Sequence, residues 1–146
     1  RNGKALIFPG CSGAGKSTFS QMLAEARIGK LLSDERMIVR EMDGTMQAFG
    51  TPWAGTAGIA RDGRAPLAGI YFLTHGRDNR VEKLAAAEAL DKLLPLVSIP
   101  WYDPETMVPI IAFAKRLVAK VPAFEMSFKP DRSAIDFFRT FTKKPS

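Results

Sequence analysis

Residues 10–17 read Gly-Cys-Ser-Gly-Ala-Gly-Lys-Ser, which satisfies the spacing Gly-x-x-x-x-Gly-Lys-Ser of a phosphate-cradling loop. The glycines let backbone N–H groups turn inward and approach phosphate oxygens closely, where side chains would block them. A helix starting at the same point adds free N–H groups and the positive end of its dipole. In such a loop Lys16 reaches the β- and γ-phosphates of a nucleoside triphosphate, and the Ser17 hydroxyl ligates Mg²⁺. The predicted phosphate-binding set is Gly10, Cys11, Ser12, Gly13, Ala14, Gly15, Lys16, Ser17 and Thr18. Cys11 reads as a small residue that the turn tolerates; its seat near a helix start and Lys16 would also make a thiol easier to oxidise.

Phosphoryl transfer needs a carboxylate as well, to hold Mg²⁺ or to accept the proton of an attacking hydroxyl. Leu31-Leu32-Ser33-Asp34-Glu35 offers one: an apolar run that delivers two acids at a strand end. In an open α/β sheet the carboxyl ends of neighbouring strands lie on one side, next to such a loop. Asp34 is therefore the predicted base or, with Ser17, metal-holding residue, and Glu35 its catalytic neighbour. The other reading is that both acids simply open an exposed hairpin.

These residues need elements to position them. Lys4–Phe8, an apolar run stopped by Pro9-Gly10, predicts a buried strand. Thr18–Ala26 predicts a helix with Phe19, Met22, Leu23 and Ala26 on one face, ended by Gly29. Lys30–Ser33 predicts a second short strand. Asp43-Gly44 between Arg36–Met42 and Thr45–Phe49 is a strong hairpin signal. Gly50–Gly55 predicts an irregular loop, Asp62-Gly63 a weaker turn, and Pro66–Leu73 a core strand ending at Thr74-His75-Gly76. The apolar spacing of Leu90, Leu93, Leu94 and Val97 predicts a helix from Val81 to about Leu94. Asp103-Pro104-Glu105 predicts a capped helix start, with Met107, Ile110, Ile111, Ala114, Leu117 and Val118 as its stripe and Trp101-Tyr102 as a hydrophobic staple. Val121–Phe128 predicts a strand, and Asp131 or Ser133 caps a last helix carrying Ile135, Phe138 and Phe141.

Composition sets the bounds. The 146 residues suit one domain, and a hydrophobic fraction of 46% suits a packed core. A lone Cys excludes an internal disulfide and fits a reducing compartment. No apolar run approaches the roughly 20 residues of a membrane span, and the N-terminus has no signal-peptide pattern, so the expected location is cytoplasmic. A start at Arg1 without an initiator Met also suits a fragment of a longer chain. The net charge of +6 suits a phosphate-bearing partner. Its basic residues are scattered, however, and no aromatic residues interleave with them, so no dedicated nucleic-acid binding is expected.

Gly10–Ser17, then Leu32-Ser33-Asp34-Glu35, a hairpin, and Gly50-Thr51-Pro52-Trp53-x-Gly55 together resemble the HPr kinase-related proteins, which share a P-loop fold with HPr kinase/phosphorylase and phosphoenolpyruvate carboxykinase. Pro66–Leu73 and Val121–Glu125 look similar too, so the resemblance spans nearly the whole chain. In that family the acid pair is usually Asp-Asp; one member serves as base for the target hydroxyl, and the pair touches the metal. Carried over, this makes Asp34 the base or metal acid and Glu35 its neighbour, with Glu standing where Asp is commoner. The His and other residues that full HPr kinases carry ahead of the loop strand have no counterpart here, and no HPr-binding signature is found. The resemblance thus implies a kinase-like nucleotide site and, as acceptor, a Ser of a protein or peptide.

The expectation is a single α/β P-loop nucleotide-binding domain over residues 1–146, with a mixed sheet, antiparallel hairpins in the middle and flanking helices. Its expected function is ATP-dependent, Mg²⁺-dependent transfer of the γ-phosphoryl to a hydroxyl. Two alternatives stay open: a small-molecule kinase closed by the Gly55–Gly63 or Arg77–Arg80 loop, and a nucleotide-binding regulatory or degenerate domain without turnover. A homo-oligomer is also left open. Arg77 and Arg80 either stabilise phosphoryl charge or lie in a solvated loop, Trp53 either borders a base or substrate or anchors its loop, and His75 is expected as a surface loop residue.

Overall fold

The computed structural model describes residues 3–11 and 13–142. Ser12 and the Lys143-Lys144 tail therefore lie outside the described residues. The chain is α/β, with a mixed six-stranded sheet among the described residues and helices on both faces. The elements run β1 (Ala5–Ile7), α1 (Lys16–Glu25), β2 (Ile38–Met42), β3 (Thr45–Phe49), β4 (Arg64–His75), β5 (Arg80–Lys83), α2 (Ala86–Leu93), α3 (Pro104–Lys120), β6 (Ala123–Phe128) and α4 (Arg132–Phe141). None of these helices is long and apolar enough to cross a membrane.

β4 is the spine. Its start pairs antiparallel with β3 (Gln47↔Pro66), its middle parallel with β1 (Ile7↔Ile70), and its end parallel with β6 (Ile70↔Ala123 through His75↔Phe128). Successive side chains on a strand point to opposite faces, so β4 feeds two cores. Ile70 and Phe72 join Leu93, Leu117 and Val118 under α2 and α3, while Tyr71 and Leu73 join Phe19, Leu23 and Phe138 under α1 and α4. The second core is largely aromatic: the Phe19 ring lies 5.2 Å from Phe8, 5.1 Å from Phe128 and 5.6 Å from Phe138.

Local signals account for the best-defined turns and caps. Asp43 (φ 49°) and Gly44 (φ 75°) make the two-residue turn between β2 and β3, the positive-φ pair that matches strand twist. Asp103 accepts from the Glu105 N–H at 3.2 Å and the Thr106 hydroxyl at 2.5 Å, opening α3. Asp131, not Ser133, caps α4, accepting from the Ser133 N–H at 2.8 Å.

Four expectations are corrected. Lys30–Ser33 is not a strand; it contributes one antiparallel bridge, Ser33↔Ala60, and the Leu32 carbonyl accepts from the Arg61 N–H at 2.9 Å, so its backbone bonds go to the 50–63 loop and not to a sheet strand. The expected helix from Val81 begins only at Ala86: Arg80–Lys83 is an edge strand antiparallel to β6, with Val81 opposite Met126. The helix starts where the Glu88 carboxylate accepts the Ala85 N–H at 2.9 Å. Asp62-Gly63 forms no turn of its own; the Gly50 N–H donates to the Gly63 carbonyl and closes the base of the 50–63 loop. Trp101 and Tyr102 are 60% and 91% exposed, so they do not staple α3.

Candidate functional site

The Gly-rich loop leaves the carboxyl end of β1 and runs into α1. β1, β4 and β6 are parallel, so their carboxyl ends share one side of the sheet, the side on which open α/β sheets bind ligands. Gly13 (φ 82°) and Gly15 (φ 87°) both take the left-handed conformation, which glycine adopts at little cost. Gly15 has a second constraint. A Cβ there would stand 2.8 Å from Cζ of Phe128 and 2.9 Å from Cε1 of His75, so the side chains at the ends of β6 and β4 press against the loop. At Gly10 a Cβ would meet Ala14 Cβ at 2.9 Å, and the Ala14 N–H donates back to the Cys11 carbonyl at 3.1 Å.

Gly15 is the N-cap of α1 and supplies no side-chain cap, and no acid lies in the first turn. A helix start of this kind has no capping side chain on its first N–H groups and no first-turn acid to offset the positive end of its dipole. The Lys16 ammonium donates to the carbonyls of Gly10 (2.6 Å) and Cys11 (2.8 Å), placing a cation across the same loop. Ser17 and Thr18 are exposed, as is Cys11, a free thiol.

His75, expected from sequence as a surface loop residue, is the last residue of β4. It is exposed, yet its Nε2 lies 2.8 Å from the carbonyl oxygen of Gly13. A carbonyl only accepts, so Nε2 is the protonated nitrogen of this contact. No local signal announces the bond: the two residues are 62 apart in sequence, and only the β1–β4 pairing brings them together.

The two acids sit in a different setting. The Asp34 carboxylate accepts backbone N–H bonds from Gly55 (2.8 Å), Ala57 (2.6 Å) and Ile59 (3.2 Å). Desolvation pushes its pKa up, but the N–H donors of Gly55, Ala57, its own residue and Ile59 outweigh that and hold it below the ordinary carboxylate value. Asp34 thereby shapes the 55–59 segment, and Glu35 is exposed beside it. Among the described residues no hydrogen bond or ion pair joins Asp34 or Glu35 to residues 10–18. Trp53, in the same loop, is 58% exposed and so does not anchor it. Arg77 is exposed, and exposed Arg80 pairs with Glu82 two residues along the same face of the edge strand.

Two open grooves lie away from the Gly-rich loop: about 610 Å³ between the β2–β3 hairpin and α3, and about 480 Å³ between α1 and α4. The loop offers backbone N–H groups and the Lys16 ammonium, groups whose chemistry suits a phosphate. No protein-family model, curated protein or solved structure matches the chain.

Proposed function

We propose that the chain is a P-loop phosphotransferase that binds ATP and moves its γ-phosphoryl to a hydroxyl, most simply a Ser of a protein or peptide. The observation that carries the reading is the helix start at Gly15-Lys16, with no capping side chain or first-turn acid, crossed by the Lys16 ammonium at the carboxyl end of three parallel strands. In this reading the loop N–H groups receive the phosphates, and Lys16 exchanges the carbonyls of Gly10 and Cys11 for phosphate oxygens. Mg²⁺ takes one or two protein oxygens together with substrate phosphates; the exposed Ser17 hydroxyl and the Asp34 carboxylate are the groups that would hold it. When bound it would neutralise charge developing on the phosphoryl oxygens.

The acceptor's proton requires a base. Asp34 is the acid pair's better-held member, but three N–H donors lower its basicity, which suits it to an ionised, metal-facing role more than to proton abstraction. That same saturation favours a second reading, nucleotide binding without turnover, in which Asp34 only shapes the 55–59 loop.

Thermal unfolding with and without Mg²⁺-ATP, on wild type and Lys16→Ala, tests nucleotide binding. At 100 times Kd a ligand stabilises by about 2.7 kcal/mol, which in a domain of this size raises Tm by roughly 5–10 °C. A shift confined to wild type supports the site; no shift in either protein removes it. Asp34→Asn then separates the two readings: a kinase loses transfer and keeps nucleotide binding.

A further inference from the structure

We propose that His75 is a positioning residue of the Gly-rich loop, and that its bond to Gly13 sets how readily the loop accepts a nucleoside triphosphate; this rests on the nucleotide-binding reading above. His75 is the last residue of β4, held in parallel register with Phe128 at the end of β6. Its ring touches the loop at two points: Nε2 lies 2.8 Å from the Gly13 carbonyl oxygen, and Cε1 occupies space that a Gly15 Cβ would need. Phe128, 5.8 Å from it ring to ring, supports the imidazole from the neighbouring strand.

The loop needs such a tether at Gly13. That residue is exposed, has φ 82°, and has nothing within 4 Å of where a Cβ would stand, so side-chain packing does not fix it. A flexible glycine ordered only on binding draws its ordering cost from ligand affinity. A trans peptide also sends its C=O and N–H in opposite directions. The Ala14 N–H on the far side of that peptide donates to the Cys11 carbonyl at 3.1 Å, so the Gly13–Ala14 peptide is held at its oxygen by His75 and at its nitrogen by Cys11. His75 thus helps to hold the turn that leads into the α1 start at Gly15-Lys16.

The test is calorimetric titration of Mg²⁺-ATP into wild type, His75→Phe, His75→Gln and Lys16→Ala. His75→Phe keeps an aromatic ring beside Phe128 and removes the donor; affinity should fall about tenfold, the size of one net hydrogen bond. His75→Gln restores an N–H donor and should recover most of the loss, which a purely structural role for the ring would not produce. Wild-type affinity in His75→Phe overturns the proposal while leaving the nucleotide site intact. Failure of wild type and Lys16→Ala alike to bind overturns the nucleotide reading and this proposal with it. Because the sequence contains one His, its imidazole ¹⁵N–¹H signals in wild type supply a measurement independent of variant folding. They should move with the calorimetric Kd as Mg²⁺-ATP is added, and unmoved signals at saturation would sink the proposal.

Discussion

The Lys16 ammonium lies 2.6 Å from the carbonyl oxygen of Gly10 and 2.8 Å from that of Cys11, so the loop's own backbone holds the cation over its mouth. Both bonds are charge-assisted, and phosphate oxygens offer partners of the same kind. Lys16→Ala should abolish the Tm shift produced by Mg²⁺-ATP while moving the Tm of the protein alone by only a few degrees. An unchanged ligand-induced shift would remove Lys16 from the site.

Gly13 and Gly15 share a left-handed backbone but not their surroundings, and alanine substitution separates the two effects. At Gly13 the substituent meets open space, so Gly13→Ala should cost only the conformational strain, about 1–2 kcal/mol. At Gly15 it also meets Phe128 and His75 below 3 Å, and Gly15→Ala should cost visibly more. Urea denaturation of both variants checks the order; equal losses would mean that the strand-end side chains yield freely.

Asp34→Asn replaces a carboxylate that accepts three backbone N–H bonds with an amide that can turn only one oxygen toward them. The expected loss is about 1–2 kcal/mol at neutral pH. Its pH dependence follows from the lowered pKa of Asp34. A carboxyl with a lower pKa folded than unfolded stabilises above its unfolded value, near 3.9, and loses that contribution as pH falls through the folded value. The gap between wild type and Asp34→Asn should hold steady from pH 7 to 5 and begin to narrow below about pH 4. A gap that does not narrow on acidification would point to packing instead of charge.

Phe19 is fully buried and bears on Phe8, Phe128 and Phe138. It fixes α1, and hence the helix start at Gly15, to the sheet. Phe19→Ala should cost about 3–5 kcal/mol, and Phe19→Leu clearly less. Denaturant midpoints for the two variants, with unchanged m-values, would place the loss in the native core.

What the sequence disclosed was governed by range. The Asp43-Gly44 turn, the Asp103 and Asp131 caps and the start of α1 just after Gly15 are written in adjacent residues. Val81–Lys83 reads as helix from sequence because its partner is β6, more than forty residues further on, and so short a strand next to a helical stretch carries little periodicity of its own. Leu31–Ser33 has the composition of a strand, yet its backbone partners are Ala60 and Arg61 of the 50–63 loop, almost thirty residues downstream. The His75–Gly13 contact was illegible for the same reason. In the acid pair, residue type suggested chemistry, but the N–H donors that engage Asp34 come from a loop more than twenty residues downstream.

β4 pairs with segments on both sides of it in the chain: β1 precedes it by about sixty residues, and β6 follows it by about fifty. During synthesis the Gly-rich loop emerges before its supports: its strand has no partner until Leu67–Ile70 are made, and Gly15 lacks its Phe128 support until β6 follows. The loop thus acquires its native shape long after its own residues have been translated. Ribosome-bound chains halted before residue 128 would carry the whole Gly-Lys-Ser sequence without the scaffold that gives it form.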